Sequence, residues 1–535
     1  MASSHPIETM EPMPEGCMLI VGTNDMHGHL EPHRVRRGDT YATIGGLRGV
    51  SAYVNALRKW SGGRVALLDG GDAYHGTYES NAAYGRDVIK LMNLIGYDAM
   101  ALGNHEFDFG PTLQRPGDPR GHLKRRLEEA QFPILSANLA HTDRTKVDWN
   151  NLKSHVVLEV GSIKLGVIGA STIETSYTTH PRNVVGLIFE DPHQRIIDLS
   201  AQLRSEGADA IVLVGHMGGK CIESDDPMDI TSCDPSEELT KLLNALPEGT
   251  VDVALGGHTH QVLAHYFNSV ATIESGSYAR NLGLVKVCKL STGSIETEIL
   301  PPLAMCLTTF ADGTCSYRGP ASDVRSRYFF GEELRTQRDV SDLIEDAMER
   351  ASKLSERQMG IELITPLTRV PHQDSPLGKA IASAVLEASG ADIAIQNRGG
   401  VRSDLPRGPI NHRQLYTVLP FANMISILHL PARDLSEMIN HMSERRNGLL
   451  PYIAGGEFKK NSGLWQLMKD GVPVPGDTLL KVAVNDYIAA GGENLGAFFK
   501  SRPEIVIKPT TVLLFDAVAR FLSARAPLSA PIDAP

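Results

Sequence analysis

Short apolar runs alternate with longer segments of helical periodicity in the first half of the chain. Each apolar run is followed by Gly or an Asx residue instead of continuing, which is typical of a buried strand. We predict strands at 18–23, 64–68, 99–102, 210–214 and 251–255. The intervening periodicity predicts helices at 46–60, 87–95, 122–130, 192–205 and 236–246. Strands that alternate with helices indicate an α/β fold in which helices cover a sheet.

The pattern loosens at about 301–331, where Pro, Gly, Thr and Arg are frequent, and we interpret this stretch as a domain exit. A charged amphipathic helix is predicted over 332–357, with apolar residues at Val340, Leu343, Ile344, Ala347 and Met348. A second α/β stretch follows at 361–522. The predicted organisation is a domain over 15–325, a helical connector over 326–358, a smaller domain over 359–523 and a disordered tail over 524–535.

The bulk composition supports two folded domains and excludes some partners. A chain of 535 residues exceeds what one hydrophobic core usually serves, and 42% hydrophobic residues suffice for sizeable cores. The net charge of −11 argues against a general binder of nucleic-acid polymers or anionic membranes. The sequence contains no apolar run of about 18 residues, so no membrane-spanning helix is predicted.

The N-terminus and the cysteines bear on the compartment. Residues 1–16 are polar and lack the basic and apolar regions of a signal peptide, which leaves a cytosolic protein and a processed exported protein both open. Among six cysteines, Cys221 with Cys233 and Cys306 with Cys315 are close enough in sequence to close two short loops as disulfides. Free thiols are the alternative. Without a CxxC pair, a cysteine-type zinc module is not expected.

Residues of the types that bind divalent cations follow each of the five predicted strands. They are Asp25, His27, Asp72, Asn104, His216, His258 and His260. Because ligands gather outside the carboxyl ends of strands in α/β sheets, we expect these side chains to converge on one crevice. Asp25 and His27 are two residues apart, as are His258 and His260, so extended backbone would project each pair to one side. Any one of these residues alone would be read as a cap, whereas the whole set indicates a metal site.

Three segments carry a family resemblance: NDMHGH at 24–29, GNHEFD at 103–108 and GHTH at 257–260. In this order they resemble the calcineurin-like metallophosphoesterases and, more closely, the 5′-nucleotidase and UDP-sugar hydrolase family. The resemblance implies layered β-sheets flanked by helices and a smaller C-terminal α/β substrate-binding domain. It also implies two divalent ions, Zn, Mn or Co. One would be held by Asp25, His27 and His260, and the other by Asn104, His216 and His258, with Asp72 as the bridge.

The resemblance assigns a catalytic dyad to His105 and Asp108. Two cations lower the pKa of a shared water from about 16 toward 7 and neutralise a phosphoryl group during in-line attack. We expect His105 to stabilise the transition state or to protonate the leaving oxygen, with Asp108 keeping the imidazole cationic. The alternative is that His105 caps the segment that follows it. For His29, His33 and His75, we favour supporting or solvated roles.

The second domain contains Asn397, Gly399, Gly400 and Arg402 in a segment that resembles the NxGGxR stretch of the family's substrate-binding domain. Glycines allow close backbone approach to a ligand, and an arginine supplies bidentate donors to phosphate. Arg402 is therefore the predicted anion contact. A glycine turn beside a surface arginine is the alternative interpretation.

Two further segments resemble the loops that present aromatic rings to a nucleobase, and they predict a clamp formed by Phe421 and Tyr487. Stacking contributes about 1–3 kcal/mol per base. Core packing is the alternative for Phe421. Glu493 stands where the family usually has Asp, which lengthens the reach of the carboxylate toward the ribose hydroxyls. The family's earlier arginine is missing, and Arg369 or Lys379 would take its place.

The resemblance favours a dinuclear hydrolase that removes phosphate from nucleoside 5′-monophosphates by metal-activated hydroxide attack, with UDP-sugars or other nucleotides as further substrates. Alternatives are a 2′,3′-cyclic nucleotide phosphodiesterase with 3′-nucleotidase activity and a thiosulfohydrolase. A binding module without activity would require lost ligands, and none is lost. We expect a small-molecule partner and no nucleic-acid polymer. The family favours a periplasmic or extracellular location, and the oligomeric state stays open.

Overall fold

The protein is described by a computed structural model covering residues 5–112, 114–115, 117–223, 226–370, 375–421, 423–444, 448–461, 463–493 and 495–529. The chain divides into two compact units. The first comprises Met1–Thr179 with Asn183–Glu349, and the second comprises His180–Arg182 with Arg350–Pro535. In the described ranges, no helix is both long enough and apolar enough to cross a membrane.

In the part of the first unit that the structure describes, there are many short strands and eight α-helices, the last of which continues past the boundary of the unit. The strands are β1 Cys17–Thr23, β2 His33–Arg37, β3 Thr40–Ile44, β4 Val65–Asp69, β5 Ala99–Ala101, β6 Ile134–Leu135, β7 Leu139–His141, β8 Leu152–Lys153, β9 His155–Val160, β10 Ile163–Ser171, β11 Leu187–Phe189, β12 Ala210–His216, β13 Val253–Leu255, β14 Val262–Phe267, β15 Val270–Ser275, β16 Asn281–Lys289, β17 Ile295–Ala304, β18 Cys306–Phe310, β19 Val324–Ser326, β20 Tyr328–Phe329 and β21 Glu332–Glu333. The helices are α1 Gly46–Trp60, α2 Tyr78–Asn81, α3 Arg86–Ile95, α4 Gly121–Glu129, α5 Thr175–Thr178, α6 His193–Ser205, α7 Glu238–Ala245 and α8 Arg338–Glu356.

The second unit is smaller and also mixes strands with helices. Its strands are β22 Gln358–Leu363, β23 Ile393–Gln396, β24 Gly408–Asn411, β25 Met424–Pro431, β26 Tyr452–Ala454, β27 Glu457–Asn461, β28 Leu464–Lys469, β29 Val472–Pro473, β30 Leu479–Asn485 and β31 Val506–Leu513. Its helices are α9 Pro376–Ser389, α10 His412–Val418, α11 Ala432–Glu444, α12 Asp486–Ala489, α13 Gly496–Lys500 and α14 Leu514–Arg525.

Two large sheets face each other in the first unit. One has the strand order β17-β16-β1-β4-β5-β6-β8 and the other the order β14-β15-β13-β12-β10-β9. Their facing sides form one apolar cluster, to which Ile20 and Leu68 contribute from the first sheet and Val212 and Leu255 from the second. The central strands are buried along their whole length because they are covered on both faces, as parallel strands usually are.

Helices cover the outer faces of both sheets. Residues of α1 and α3 join the apolar cluster that lies against the seven-stranded sheet, and residues of α6 and α7 join the cluster against the six-stranded sheet. The unit is therefore layered as helices, sheet, sheet and helices. This confirms the predicted α/β layering, but with two sheets where the strand pattern alone indicated only a sheet covered by helices.

The strands that precede the predicted ligands run parallel within each sheet. In the seven-stranded sheet, β1 pairs in parallel with β4, and β4 pairs in parallel with β5. In the six-stranded sheet, β12 pairs in parallel with β13. Parallel strands end at the same edge, so the five loops that follow β1, β4, β5, β12 and β13 are brought together. These are called the ligand loops below.

The second unit has a central sheet of order β26-β23-β30-β25-β31. Helices α9 and α14 contribute to the apolar cluster on one side, and α11 contributes to a second cluster that also contains residues of β25 and β30. The prediction of a second α/β domain is confirmed.

The chain differs from expectation around the predicted connector and at the C-terminus. Helix α8 begins at Arg338, six residues later than predicted, because Glu332–Glu333 pairs with β20 as strand β21. Within the segment predicted as a disordered tail, Leu528 is buried and its N–H donates to Glu362 O at 2.9 Å. The Leu528 side chain therefore packs in the apolar core of the second unit. Residues 530–535 of that segment lie outside the described residues.

All six cysteines form disulfides: Cys17–Cys288, Cys221–Cys233 and Cys306–Cys315. The two predicted short loops are confirmed, and the alternative of free thiols is wrong. The pair Cys17–Cys288 was not predicted, since 271 residues separate its members. They meet because β1 and β16 are antiparallel neighbours in which Cys17 lies opposite Cys288.

We expect Leu68→Ala to lower the free energy of unfolding by about 2–5 kcal/mol, because it opens a cavity between the two sheets. Leu68 is 0% exposed. Urea unfolding of the variant measures the change. Leu68→Met is the matched control and should cost less than about 1.5 kcal/mol, since it keeps the volume. Equal losses in the two variants would contradict the packing account.

Candidate metal centre

The five ligand loops carry six of the seven predicted metal ligands, and the seventh, His216, is the last residue of β12. Asp25 and His27 follow β1, Asp72 follows β4, and Asn104 follows β5, while His216 ends β12 and His258 and His260 follow β13. Asp25, Asp72, Asn104 and His216 are at most 1% exposed. The structure therefore buries polar side chains where the two sheets present their carboxyl edges, as the strand pattern predicted.

We expected extended backbone at the two pairs of ligands, and this expectation is wrong. The φ angles are positive at Asp25 (48°), His27 (47°), Asp72 (56°), His258 (76°) and His260 (58°). Each such residue costs of order 1–3 kcal/mol and persists only where the surroundings impose it. The left-handed turns direct both members of each pair into the crevice, a task that we had assigned to strand alternation.

Asp25, His27 and His260 form the first group of ligand atoms, which we call the Asp25 cluster. His27 Nε2 lies 3.0 Å from His260 Nε2, and Asp25 Oδ1 lies 3.4 Å from His260 Nε2 and 3.8 Å from His27 Nε2. His27 Nδ1 lies 2.8 Å from the carbonyl oxygen of His75. A carbonyl has no hydrogen to give, so Nδ1 must be the donor and Nε2 of the neutral ring presents a lone pair to the cluster.

The Asp25 carboxylate has one oxygen with hydrogen-bond donors and one without. Its Oδ2 accepts hydrogen bonds from Asn24 Nδ2 at 2.7 Å and from the His258 backbone N–H at 2.9 Å. Its Oδ1 is buried and has no hydrogen-bond donor. A buried carboxylate oxygen without a partner is costly. A cation in front of Oδ1 would satisfy it, and the donor set of this cluster fits a divalent ion.

Asp72, His216 and His258 form the second group, which we call the Asp72 cluster. His216 Nδ1 donates to Gly70 O at 2.8 Å, so the neutral ring would present the lone pair of Nε2 inward to a cation. That nitrogen lies 2.9 Å from Asn104 Oδ1 and 3.2 Å from Asp72 Oδ2. Three atoms with lone pairs thus converge at hydrogen-bond distance, an arrangement that a divalent cation would satisfy.

Asp72 reaches both clusters with one oxygen. Oδ2 lies 3.2 Å from His216 Nε2 and 4.0 Å from His27 Nε2. This is the geometry expected of the predicted bridging carboxylate. Imidazole, carboxylate and amide ligands without thiolate suit divalent ions such as zinc and manganese.

Electrostatics at the Asp72 cluster favour a cation in the crevice. Burial lowers the pKa of His216, but the charge of Asp72 and its hydrogen bond to the ring, together with the charges of Asp25 and Glu106, raise it to about 10. Burial raises the pKa of Asp72, whereas His216 and His105 hold it well below its usual range. In the metal-free protein, a proton on His216 therefore takes the place of the cation.

His105 and Asp108 form the predicted dyad, with His105 Nδ1 2.5 Å from Asp108 Oδ2. Burial lowers the pKa of His105, but Asp72 and Asp108 raise it to about 10. Thr179 Oγ1 donates to Asp108 Oδ1 at 2.7 Å, which fixes the carboxylate. The imidazole side chain is 35% exposed, so a proton held there is accessible from the crevice.

The remaining histidines of the region have supporting positions. His75 Nδ1 lies 3.0 Å from Asp108 Oδ2, the same oxygen that holds His105. The His29 ring packs 4.5 Å from that of His33 and 4.6 Å from that of Tyr278, centroid to centroid. Of these, the contact of His75 with the dyad was not foreseen.

Two buried glutamates behind the ligand loops, Glu106 and Glu274, were also missed. Each had a signal in the sequence. Glu106 lies inside the GNHEFD segment, and Glu274 is the one charged residue of β15, a strand whose residues are all buried. A charged residue in a fully buried strand calls for nearby donors or cations.

In the second unit, the structure brings some of the predicted substrate residues together. Asn397 Nδ2 donates to Glu493 Oε1 at 3.1 Å, and Asn485 Nδ2 donates to Asn397 Oδ1 at 2.7 Å. Asn397 and Glu493 are nearly buried. Gly399 and Gly400 form a 3₁₀ turn with Arg398, and a Cβ at Gly400 would lie 2.3 Å from Gln396 Nε2.

The predicted anion contact and clamp residues differ in exposure. Arg402 is exposed, with its guanidinium donating to Gly399 O at 3.3 Å. Phe421 is 42% exposed, which excludes core packing as its role. Tyr487 is half-buried against Gly492, where a Cβ would lie 2.5 Å from the ring. Among the described residues, no ring contact joins Phe421 to Tyr487, and the clamp stays a prediction. Arg369 donates to Val401 O at 3.1 Å.

Comparison with known proteins matches both units. A family model described as calcineurin-like phosphoesterase matches residues 18–262, and one described as 5′-nucleotidase, C-terminal domain, matches residues 355–500. A 5′-nucleotidase of Vibrio parahaemolyticus is 26% identical over 514 residues, which cover 89% of this chain and 84% of that protein.

Solved structures show the same fold over nearly the whole chain. A putative 5′-nucleotidase from Staphylococcus aureus, in complex with alpha-ketoglutarate, has a TM-score of 0.70 and 19% identity, covering 97% of this chain and 98% of its own. A 5′-nucleotidase precursor from Thermus thermophilus has a TM-score of 0.61 and 23% identity, covering 95% and 96%. At these identities the likeness concerns the fold.

We expect metal binding to release a proton and to weaken as the pH falls. Metal ligation requires neutral His216, whose pKa in the metal-free protein is about 10. Below that pH, the apparent dissociation constant for Mn²⁺ should rise about tenfold for each unit by which the pH is lowered. Calorimetric titration in two buffers of different ionisation enthalpy counts the protons released. Binding at pH 8 without proton release would contradict the assignment of His216.

Proposed function

Since the chain belongs to the 5′-nucleotidase family of calcineurin-like phosphoesterases, a family of metal-dependent phosphoesterases, we propose that it hydrolyses nucleoside 5′-monophosphates to nucleoside and phosphate. The observation that carries the proposal is the pair of ligand clusters joined by Asp72, with the His105–Asp108 dyad beside them. UDP-sugars and other nucleotides are further candidate substrates.

Two divalent ions, Zn, Mn or Co, would occupy the two clusters. Asp25, His27 and His260 would hold one ion, Asn104, His216 and His258 the other, and Asp72 both. When bound, such a pair supplies a nucleophile at neutral pH and neutralises charge on the phosphoryl oxygens. The orphaned Asp25 Oδ1 and the three converging atoms around His216 Nε2 support this assignment.

His105 would act on the leaving group. Burial lowers the pKa of His105, and Asp72 and Asp108 raise it to about 10 when no cation neutralises Asp72. In the metal-loaded site, the hydrogen bond to Asp108 would favour the protonated imidazole. It can donate that proton to the leaving oxygen or neutralise developing charge on the phosphoryl group. Asp108 orients the ring through Nδ1, which leaves Nε2 as the atom that delivers the proton.

Recognition of the nucleoside would fall to the second unit. The exposed ring of Phe421 and the half-buried ring of Tyr487 would stack on the base, and Arg402 would contact an anionic group. Asn397 and Glu493 already bond to each other, so the Glu493 carboxylate is held in place to accept from ribose hydroxyls.

An oxidising compartment, periplasmic or extracellular, fits the three disulfides. Disulfides are rare in cytosolic proteins because cellular thiols keep cysteines reduced. The substrate would then be a nucleotide outside the cytoplasm, and the enzyme would take part in nucleotide catabolism there.

Hydrolysis assays test the reaction and its alternatives, with inorganic phosphate measured for AMP and the nucleotide or p-nitrophenol products measured for the other compounds. We expect turnover of AMP in the presence of Mn²⁺ or Zn²⁺ and none after chelation. Parallel assays with UDP-glucose, 2′,3′-cyclic AMP and bis(p-nitrophenyl) phosphate separate a nucleotidase from a cyclic phosphodiesterase. Faster turnover of 2′,3′-cyclic AMP than of AMP would replace the proposal with that alternative. No hydrolysis of any of these compounds with metal added, by whichever product is measured, would refute the proposed enzymatic activity.

We expect Tyr487→Ala to raise KM for AMP by about 5- to 150-fold with little change in kcat, because stacking contributes about 1–3 kcal/mol. Steady-state kinetics measure both constants. Tyr487→Phe is the matched control. It keeps the ring and loses only the long contact between the hydroxyl and the Glu493 N–H, at 3.4 Å. An unchanged KM in Tyr487→Ala would remove Tyr487 from the base site.

A further inference from the structure

Glu106 and Glu274 are both 0% exposed, and each accepts hydrogen bonds from two different ligand loops. We propose that these two carboxylates are positioning residues that set the spacing of the metal ligands, one for each sheet. The inference rests on the proposed two-cation centre. Neither residue is one of the seven ligands, and neither belongs to the dyad.

Glu106 joins the ligand loops of the seven-stranded sheet. Oε2 accepts from the backbone N–H of Asp72 at 2.9 Å and from that of Gly103 at 2.9 Å. Oε1 accepts from the backbone N–H of Ala73 at 2.9 Å. Asp72 is the shared ligand of the two clusters, and Gly103 directly precedes Asn104. One carboxylate therefore holds the loop after β4 at a constant distance from the loop after β5.

Glu274 does the same for the six-stranded sheet. Oε1 accepts from the Thr259 hydroxyl at 2.8 Å and from the backbone N–H of Gln261 at 3.1 Å. Oε2 accepts from the backbone N–H of Gly219 at 3.3 Å. Thr259 lies between His258 and His260, Gln261 follows His260, and Gly219 follows His216 in the loop after β12. The carboxylate thus fixes the positions of these three histidines relative to one another.

A carboxylate suits this task better than an amide of the same shape. Both of its oxygens are acceptors, so it can receive three or four donors from two loops at once. A glutamine keeps one acceptor and places an NH₂ group against a backbone N–H. Mutation of a residue that hydrogen-bonds to metal ligands usually weakens metal binding about 10- to 100-fold.

The arrangement also explains how strained backbone is maintained. Asp72, His258 and His260 all have positive φ, and each lies within two residues of a donor to Glu106 or Glu274. Without these bonds the loops could relax toward ordinary backbone conformations. The ligand atoms would then lose the distances that two cations require.

The test uses the full chain and Mn²⁺ as the probe. Glu106→Gln and Glu274→Gln remove an acceptor at nearly constant volume, and Glu106→Asp and Glu274→Asp keep the charge but shorten the reach. Asp98→Asn is the matched control. Asp98 accepts from the Leu67 N–H at 2.8 Å and precedes β5, at the edge of the same sheet that lies opposite the ligand loops.

Calorimetric titration gives the dissociation constant for Mn²⁺, and electron paramagnetic resonance reports whether two bound Mn²⁺ ions are exchange-coupled. We expect all four glutamate variants to bind Mn²⁺ about 10- to 100-fold more weakly and to show weaker coupling. Asp98→Asn should match the unmodified protein in both measurements. Thermal unfolding in chelator should show metal-free glutamate variants melting close to Asp98→Asn.

Unchanged Mn²⁺ affinity and coupling in the four glutamate variants would overturn the inference. A loss of affinity and coupling confined to the Gln variants would also overturn it, because the charge of the side chain and not the spacing of the loops would then be the cause. A fall in the metal-free melting temperature beyond that of Asp98→Asn, with coupling preserved, would assign the glutamates a general structural role and also overturn it. Failure of the proposed function is a separate result: the unmodified protein would bind Mn²⁺ but release no phosphate from AMP.

Discussion

Buried oxygen and nitrogen atoms that face each other, and that need a proton or a cation between them, are the constraint on which the first unit depends. Asp25 Oδ1 has no donor, and His216 Nε2 meets two oxygens. Such groups repel one another unless a proton or a cation stands between them. The raised pKa of His216, caused by Asp72 against the effect of burial, is the response of the metal-free protein. Metal binding replaces that proton, so affinity for the cation and protonation are linked.

The two-sheet architecture makes this concentration of polar groups possible. A single sheet would bring together the loops of neighbouring strands only, whereas two facing sheets supply ligands from both sides of one crevice. The apolar cluster between the sheets fixes their separation, and hydrogen bonds to Glu106 and Glu274 connect loops within each sheet. Strained backbone at the ligands is tolerated because packing and hydrogen bonds overdetermine it.

The polar groups of the predicted site in the second unit differ from those of the ligand clusters, because they already have hydrogen-bond partners. Its predicted site contains neutral amides and one carboxylate that already satisfy each other, as in the bond from Asn397 to Glu493. The rings of Phe421 and Tyr487 retain exposed surface. Under the proposed function, this polar network and the ring of Tyr487 beside it would contact an uncharged base and sugar.

The sequence by itself predicted the five strands that precede the ligand loops, and it predicted the seven candidate ligands and the pair His105 and Asp108 that the structure brings together. Each apolar run had to be buried, and a polar residue directly after it, such as Asp72, had to lie at the sheet edge. Tertiary structure decided what local pattern does not encode. It set the left-handed backbone at Asp25 and His258, the pairing of Cys17 with Cys288, and the approach of Glu274 to loops distant in the chain. These features depend on which strands become neighbours, and that is settled by the packing of the whole unit.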